Sequence, residues 1–172
     1  FTLLPAKHFK ADTEIIDSIL AVREKNPDDK LFFLIIKEGS HFPYKNLGFD
    51  TPFMPTMAST SIRQSTAEEV YNAYRNRTRF NTDLFFKAIY ECFSYQEETV
   101  IVYTSDHGQT LANPGEKATH CDTYSPHLAE AVVPLMVIGP EKVINNAVSQ
   151  EMLESSQIAS HYMIPALLMG YL

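Results

Sequence analysis

The chain has 172 residues, and its 14 lysines and arginines against 21 aspartates and glutamates give a formal net charge of −7. That balance excludes the basic footprint of a nucleic-acid-binding surface, but not a small anionic substrate, because a metal and a few local cations dominate the field at a site. The length suffices for one domain with a core, and no apolar run approaches the roughly 20 residues that cross a bilayer.

The chain begins at Phe1 without a visible signal peptide, so a piece of something longer is expected. Cys92 and Cys121 form no CxxC pair, and both are read as ordinary residues, the first buried on a helix.

Helix and strand signals alternate along the sequence. Asp12 is placed to N-cap a helix in which Ile15, Ile16, Ile19, Leu20 and Val22 recur at helical spacing, and Asn26-Pro27-Asp28-Asp29 stops it. Leu31–Ile36 is a continuous apolar run, the pattern of a fully buried strand. A polar, proline-containing loop fills residues 38–61, and Ser65 with Glu68 makes a capping box for a long helix reaching Phe93. Thr99–Tyr103 is the second strand. A long loop through 106–130 leads to a third, Ala131–Ile138, closed by Gly139-Pro140. A final amphipathic helix spans Ser155 to Met169.

Strands joined by helices in this order predict an α/β fold: a three-layer sandwich around a mostly parallel sheet with right-handed crossovers. The carboxyl ends of strands 31–36 and 99–103 then share one edge, where ligands bind in open α/β sheets. Just past those ends stand Lys37-Glu38-Gly39-Ser40-His41 and Ser105-Asp106-His107-Gly108, and the loop after the second carries His120. Asp106 offers a hard anionic oxygen and His107 a borderline nitrogen, a mixture that suits zinc, manganese or iron. His41 and His120 are expected at the same edge.

These residues resemble a known family. Gly39-Ser40-His41-Phe42-Pro43-Tyr44 is similar to the Gly-Ser-His-x-Pro-x-Tyr-like element of phosphoethanolamine transferases, and Ser105-Asp106-His107-Gly108 to their Ser-Asp-His-Gly element. Thr119-His120 matches the histidine that follows, Val133-Pro134-Leu135 the next strand, and residues 157–168 the closing helix of sulfatase-like domains. The resemblance is to the alkaline phosphatase superfamily, in its sulfatase-like and phosphoethanolamine transferase branch. It implies that residues 1–172 are the carboxy-terminal portion of such a catalytic domain, incomplete at its N-terminal side and lacking the nucleophile segment. It implies Asp106 and His107 as ligands of a divalent metal (zinc first, calcium or manganese as alternatives) and His41 and His120 as catalytic groups near the transferring phosphoryl.

A phosphoester or phospholipid substrate, a periplasmic or extracytoplasmic location and an upstream membrane anchor follow from the same resemblance. Gln109 stands where the transferases carry Glu, and Cys121-Asp122 replaces a Gly. The long helix fits the family pattern only with a shifted register around Tyr74, Asn76 and Asp83. The expected activity is phosphoethanolamine transfer or related phosphoester hydrolysis. The alternatives are a sulfatase or phosphodiesterase of the same superfamily, and a noncatalytic binding remnant.

Other polar residues have plainer readings. His127 is structural and His161 a half-buried histidine of the last helix. Arg75 and Arg79 are solvated or paired with Glu69 or Asp83, and Lys37 is a solvated lysine.

Overall fold

A computed structural model describes residues 14–44, 50–93, 99–111, 120, 127–144 and 160–170. The chain divides into two compact units, 1–92 with 111–119 and 93–110 with 120–172.

In the first unit α1, Glu14–Lys25, buries Ile16 and Ile19, three apart on one face. Asn26 ends it: its backbone N–H donates to the Arg23 carbonyl and its Nδ2 to the Val22 carbonyl at 2.7 Å. The predicted cap, Asp12, lies outside the described residues.

The expected buried strand at 31–36 is not formed. Residues 31–38 have no regular structure, and Leu34 and Ile36 are 80% and 87% exposed while Phe33 and Ile35 are half-buried. A continuous apolar run reads as a buried strand only when neighbouring strands flank it. Among the described residues none pairs with this one.

The long predicted helix is present, and it has a seam. Helix α2, Ala67–Thr78, passes into a π-helical segment, Arg79–Asp83, and then into α3, Leu84–Phe93. Its capping box falls one residue later than predicted. The Thr66 hydroxyl accepts from the Glu69 N–H at 3.2 Å and Glu69 Oε2 accepts from the Thr66 N–H at 2.7 Å. Ser65 is already committed elsewhere, donating to the Ser61 carbonyl at 3.1 Å.

One side of α2 packs Val70 and Ala73 against Tyr44, with Phe42, Met57, Ile62 and Tyr74 around them. In α3, Phe85, Ile89 and Phe93 are buried at four-residue intervals, the spacing of a single helix face.

Four polar residues of this helix are also buried: Asn72, Asn76, Arg77 and Asn81. Burial of an amide costs free energy unless its hydrogen bonds are made, and here loop backbone makes them. Asn76 clasps Phe53 at two points, Oδ1 accepting from its N–H at 3.1 Å and Nδ2 donating to its carbonyl at 2.9 Å. One turn earlier, Asn72 Nδ2 donates to the Pro55 carbonyl at 3.0 Å. The loop at 53–55 is thereby docked as a sheet neighbour would dock it, by side-chain amides in place of a strand.

The second unit contains β1, Ile101–Thr104, α4, Leu128–Ala131, β2, Leu135–Ile138, α5, Glu141–Ile144, and α6, Ile164–Met169. The two strands pair antiparallel, with Ile101 opposite Ile138 and Thr104 opposite Leu135. This corrects the parallel arrangement expected for them, and the described residues do not form a sandwich around a parallel sheet. An apolar, β-branched run such as Thr99–Tyr103 pairs in either direction, so its sequence does not set the direction of its neighbour.

The closing helix begins with a 3-10 turn at His161–Met163, capped by Ser160, and has Pro165 in the first turn of α6. Residues 155–159 of its predicted span lie outside the described residues. No helix among the described residues is long and apolar enough to cross a membrane.

Two outcomes follow from the first unit. Asn76→Ala leaves the Phe53 N–H and carbonyl without their partners and lowers stability by about 2–3 kcal/mol, read as a shift in the urea midpoint. Burial, reinforced by nearby Tyr74, pushes the Tyr44 phenol above its ordinary range, and its hydroxyl has no hydrogen-bond partner among the described residues. Above about pH 10 the unfolded phenol ionises while the folded one stays neutral. The contribution of Tyr44 to stability is therefore lost as pH rises past that point. Tyr44→Phe removes this component, so the gap between variant and wild type widens in the variant's favour from neutral to alkaline urea denaturation.

Candidate functional site

The motif Ser105-Asp106-His107-Gly108 follows directly on the carboxyl end of β1, and its geometry is made almost wholly within itself. Asp106 Oδ1 accepts from the His107 N–H at 2.9 Å, and the Ser105 hydroxyl donates to the His107 carbonyl at 2.8 Å. His107 Nδ1 lies 2.7 Å from the Gly108 carbonyl. A carbonyl only accepts, so Nδ1 carries the proton and Nε2 keeps its lone pair in the neutral ring. That Nε2 stands 3.8 Å from Asp106 Oδ2. Two ligands about 2.1 Å from a tetrahedral zinc are themselves about 3.4 Å apart, so the pair is spaced to share a cation with small adjustment.

Charge favours the same use. Burial works against ionisation of Asp106, but the His107 N–H, the His107 ring, its own amide and the Ser105 hydroxyl outweigh it. The net effect holds the carboxyl below the usual carboxylate value. The side chain is 87% exposed and His107 38%, so both donors are open to a ligand.

His120 joins them. Its ring stacks on that of His107 with centroids 4.5 Å apart and planes 24° from parallel. The structure thus brings together three of the four expected site residues, Asp106, His107 and His120. The fourth, His41, belongs to the first unit, at the end of the extended segment 31–38. Among the described residues no three His, Cys, Asp or Glu side chains form a metal-binding group. Asp106 and His107 fit a zinc as two of its ligands, short of the three or four usual for protein sites.

Gly108 fixes the loop. Its N–H donates to the Glu130 carbonyl at 2.8 Å, tying the motif to α4. A Cβ there would collide with the Ala129 carbonyl and lie 3.0 Å from that of Val132.

The neighbouring histidines divide differently from expectation. His127 caps α4, its Nδ1 accepting from the Ala129 N–H at 3.1 Å, a structural role as read. His161 is exposed rather than half-buried, and its Nε2 lies 3.1 Å from the Thr104 hydroxyl, at the strand end that leads into the motif.

Sequence reasoning passed over a second polar cluster, in the first unit. Arg77 Nη2 pairs with Glu38 Oε1 at 2.7 Å, the Ser40 and Thr78 hydroxyls are 2.8 Å apart, and Asn81 Nδ2 donates to the Gly39 carbonyl. Lys37 donates through Nζ to the Asn81 carbonyl and lies 4.0 Å above the Phe85 ring, so it is anchored rather than solvated. Arg75 is exposed, as read, and its guanidinium lies 3.7 Å from the centroid of the Phe53 ring. The available signal was asparagine at 72, 76 and 81 within a long helix, where its propensity is poor.

The family model for Sulfatase matches residues 2–169. The chain belongs to the sulfatase family. With the family come an alkaline-phosphatase-like α/β fold and chemistry on phosphate and sulfate esters. No curated protein and no solved structure matches this sulfatase-family chain.

Gly108→Ala in this chain should lower stability by about 1–3 kcal/mol, because the new methyl meets backbone rather than a yielding side chain. A urea midpoint unchanged from wild type would contradict the close approach.

Proposed function

We propose that this chain carries part of a metal-dependent phosphoester site of the phosphoethanolamine transferase type, with Asp106 and His107 as metal ligands and His41 and His120 as catalytic groups. The observation that carries the reading is the His107 Nδ1 contact with the Gly108 carbonyl, which leaves Nε2 as the donor atom beside an ionised Asp106. Fixing one ring nitrogen to orient the other is how metal-bound histidines are generally held. A divalent cation, zinc by its taste for this donor pair, supplies Lewis-acid polarisation of a phosphoryl oxygen when bound.

The chain's own residues do the rest. Asp106 contributes negative charge in the ligand set. His107 contributes a neutral nitrogen whose direction the backbone fixes. His120, stacked on His107, presents an imidazole that binds a phosphoryl oxygen or passes a proton to a leaving group near neutral pH. His41 does the same from the loop that follows residues 31–38. The substrate is a phosphoester, in this reading a phospholipid headgroup, and the setting extracytoplasmic. Similarity of residues 39–44 and 105–108 to the transferase elements supports that choice over a sulfate ester.

Zinc content and turnover of a chromogenic phosphate ester test it, with the matching sulfate ester as comparison. Asp106→Ala should lose both metal and phosphate turnover. The loss should exceed the roughly 10–100-fold that removal of an outer partner of a ligand costs. His120→Ala should reduce turnover more than metal content. Undiminished turnover in Asp106→Ala would overturn the reading, and faster cleavage of the sulfate ester would move it to the sulfatase alternative.

A further inference from the structure

We propose that Asn81, set on its helix face by the π-helical turn, is a positioning residue for His41; this rests on the catalytic assignment of His41 above. His41 follows four residues that are each tied to the helix. Lys37 reaches the Asn81 carbonyl, Glu38 pairs with Arg77, the Gly39 carbonyl accepts from Asn81 Nδ2, and Ser40 meets Thr78. Gly39 adopts φ = +58°, a left-handed conformation that side chains rarely take, so the chain turns sharply just before Ser40-His41. Asn81 is the member that holds this turn from both directions: its side chain donates to Gly39 and its backbone accepts from Lys37. It is 3% exposed, so water does not compete for either contact.

The π-turn explains how Asn81 comes to face the loop. At about 100° per residue, Asn72 and Asn76 lie about 40° apart on an α-helix, but Asn76 and Asn81 would lie about 140° apart. A π-turn closes i→i+5 bonds, here from the Leu84 N–H to the Arg79 carbonyl, and brings residues five apart back towards one face. All three asparagines donate to loop backbone, at Pro55, Phe53 and Gly39. Turns of this kind recur at functional sites.

The test compares Asn81→Ala with Asn76→Ala, an equally buried asparagine of the same helix that holds Phe53 and not the His41 loop. Turnover of a chromogenic phosphate ester with zinc supplied is measured where both variants are folded by circular dichroism. Asn81→Ala should lower kcat about 10–100-fold with little change in KM, as expected when a reacting group is displaced by about 1 Å, and Asn76→Ala should not. In a His41→Ala background, Asn81→Ala should have no further effect on kcat. Amide hydrogen exchange of residues 39–42 should rise at least about tenfold in Asn81→Ala alone, as local opening becomes easier. Should Asn81→Ala fail to fold, Asn81→Ser, which keeps a small donor, takes its place.

Equal effects of the two asparagine variants on kcat, or unaltered exchange at 39–42, would overturn the proposal. Undiminished turnover in His41→Ala would instead overturn the catalytic assignment of His41, and exchange would then decide the positioning claim alone.

Discussion

An asparagine side chain carries the donor and acceptor of a peptide group on a short stem, and the first unit depends on that equivalence. Three asparagines on one helix stand in for the edge of a sheet, pairing with backbone at Gly39, Phe53 and Pro55. Each bond adds little net stability, about 1 kcal/mol. The asymmetry matters more: with the amides removed, buried backbone groups would keep their desolvation cost and lose their partners. The apolar cluster of Tyr44, Val70 and Ala73 supplies affinity between the same segments without specifying register. The amides specify it, because a slip by one residue would take their backbone partners out of reach.

Arg77 extends the same logic to charge. It is buried, with one nitrogen paired to Glu38 and its Nε and Nη1 without partners among the described residues. A guanidinium in that state is expensive to hold unless its carboxylate stays in place, so the pair ties residue 38 to the helix more firmly than a surface ion pair would. Glu38 is itself largely exposed. The constraint therefore acts on the loop's position and adds little to the stability of the fold.

Elements whose signal is local were legible in the sequence. The helix of 67–93 was read with its end at Phe93, because a capping box and apolar periodicity are encoded within a few residues. The turn after α1 was read from Asn26-Pro27 for the same reason. Pairing direction was not, since a β-branched run such as Thr99–Tyr103 reads identically whether its neighbour runs with it or against it, and the pairing with Leu135–Ile138 is antiparallel. The run at 31–36 failed in a related way: apolar character says that a segment seeks partners, not that it has them. The π-turn was visible only as a misfit of register around Asp83, a symptom without a structural name.

The same division separates Asp106 and His107 from His41. Asp106, His107 and Gly108 are adjacent, and the side-chain bonds described for the pair lie within 105–108. Covalent neighbourhood has already met most of the entropy of bringing these groups together. A short motif is for that reason both readable in sequence and robust to changes elsewhere in the fold. His41 has no such local guarantee. Its place is set by contacts spanning about forty residues of sequence, from Arg77, Thr78 and Asn81 to the four residues before it. Those contacts cost chain entropy to assemble and are lost together if the helix turns by one residue. The geometry of Asp106 and His107 is therefore insensitive to a drift of the His41 loop, because the first is governed by a few adjacent residues and the second by a helix.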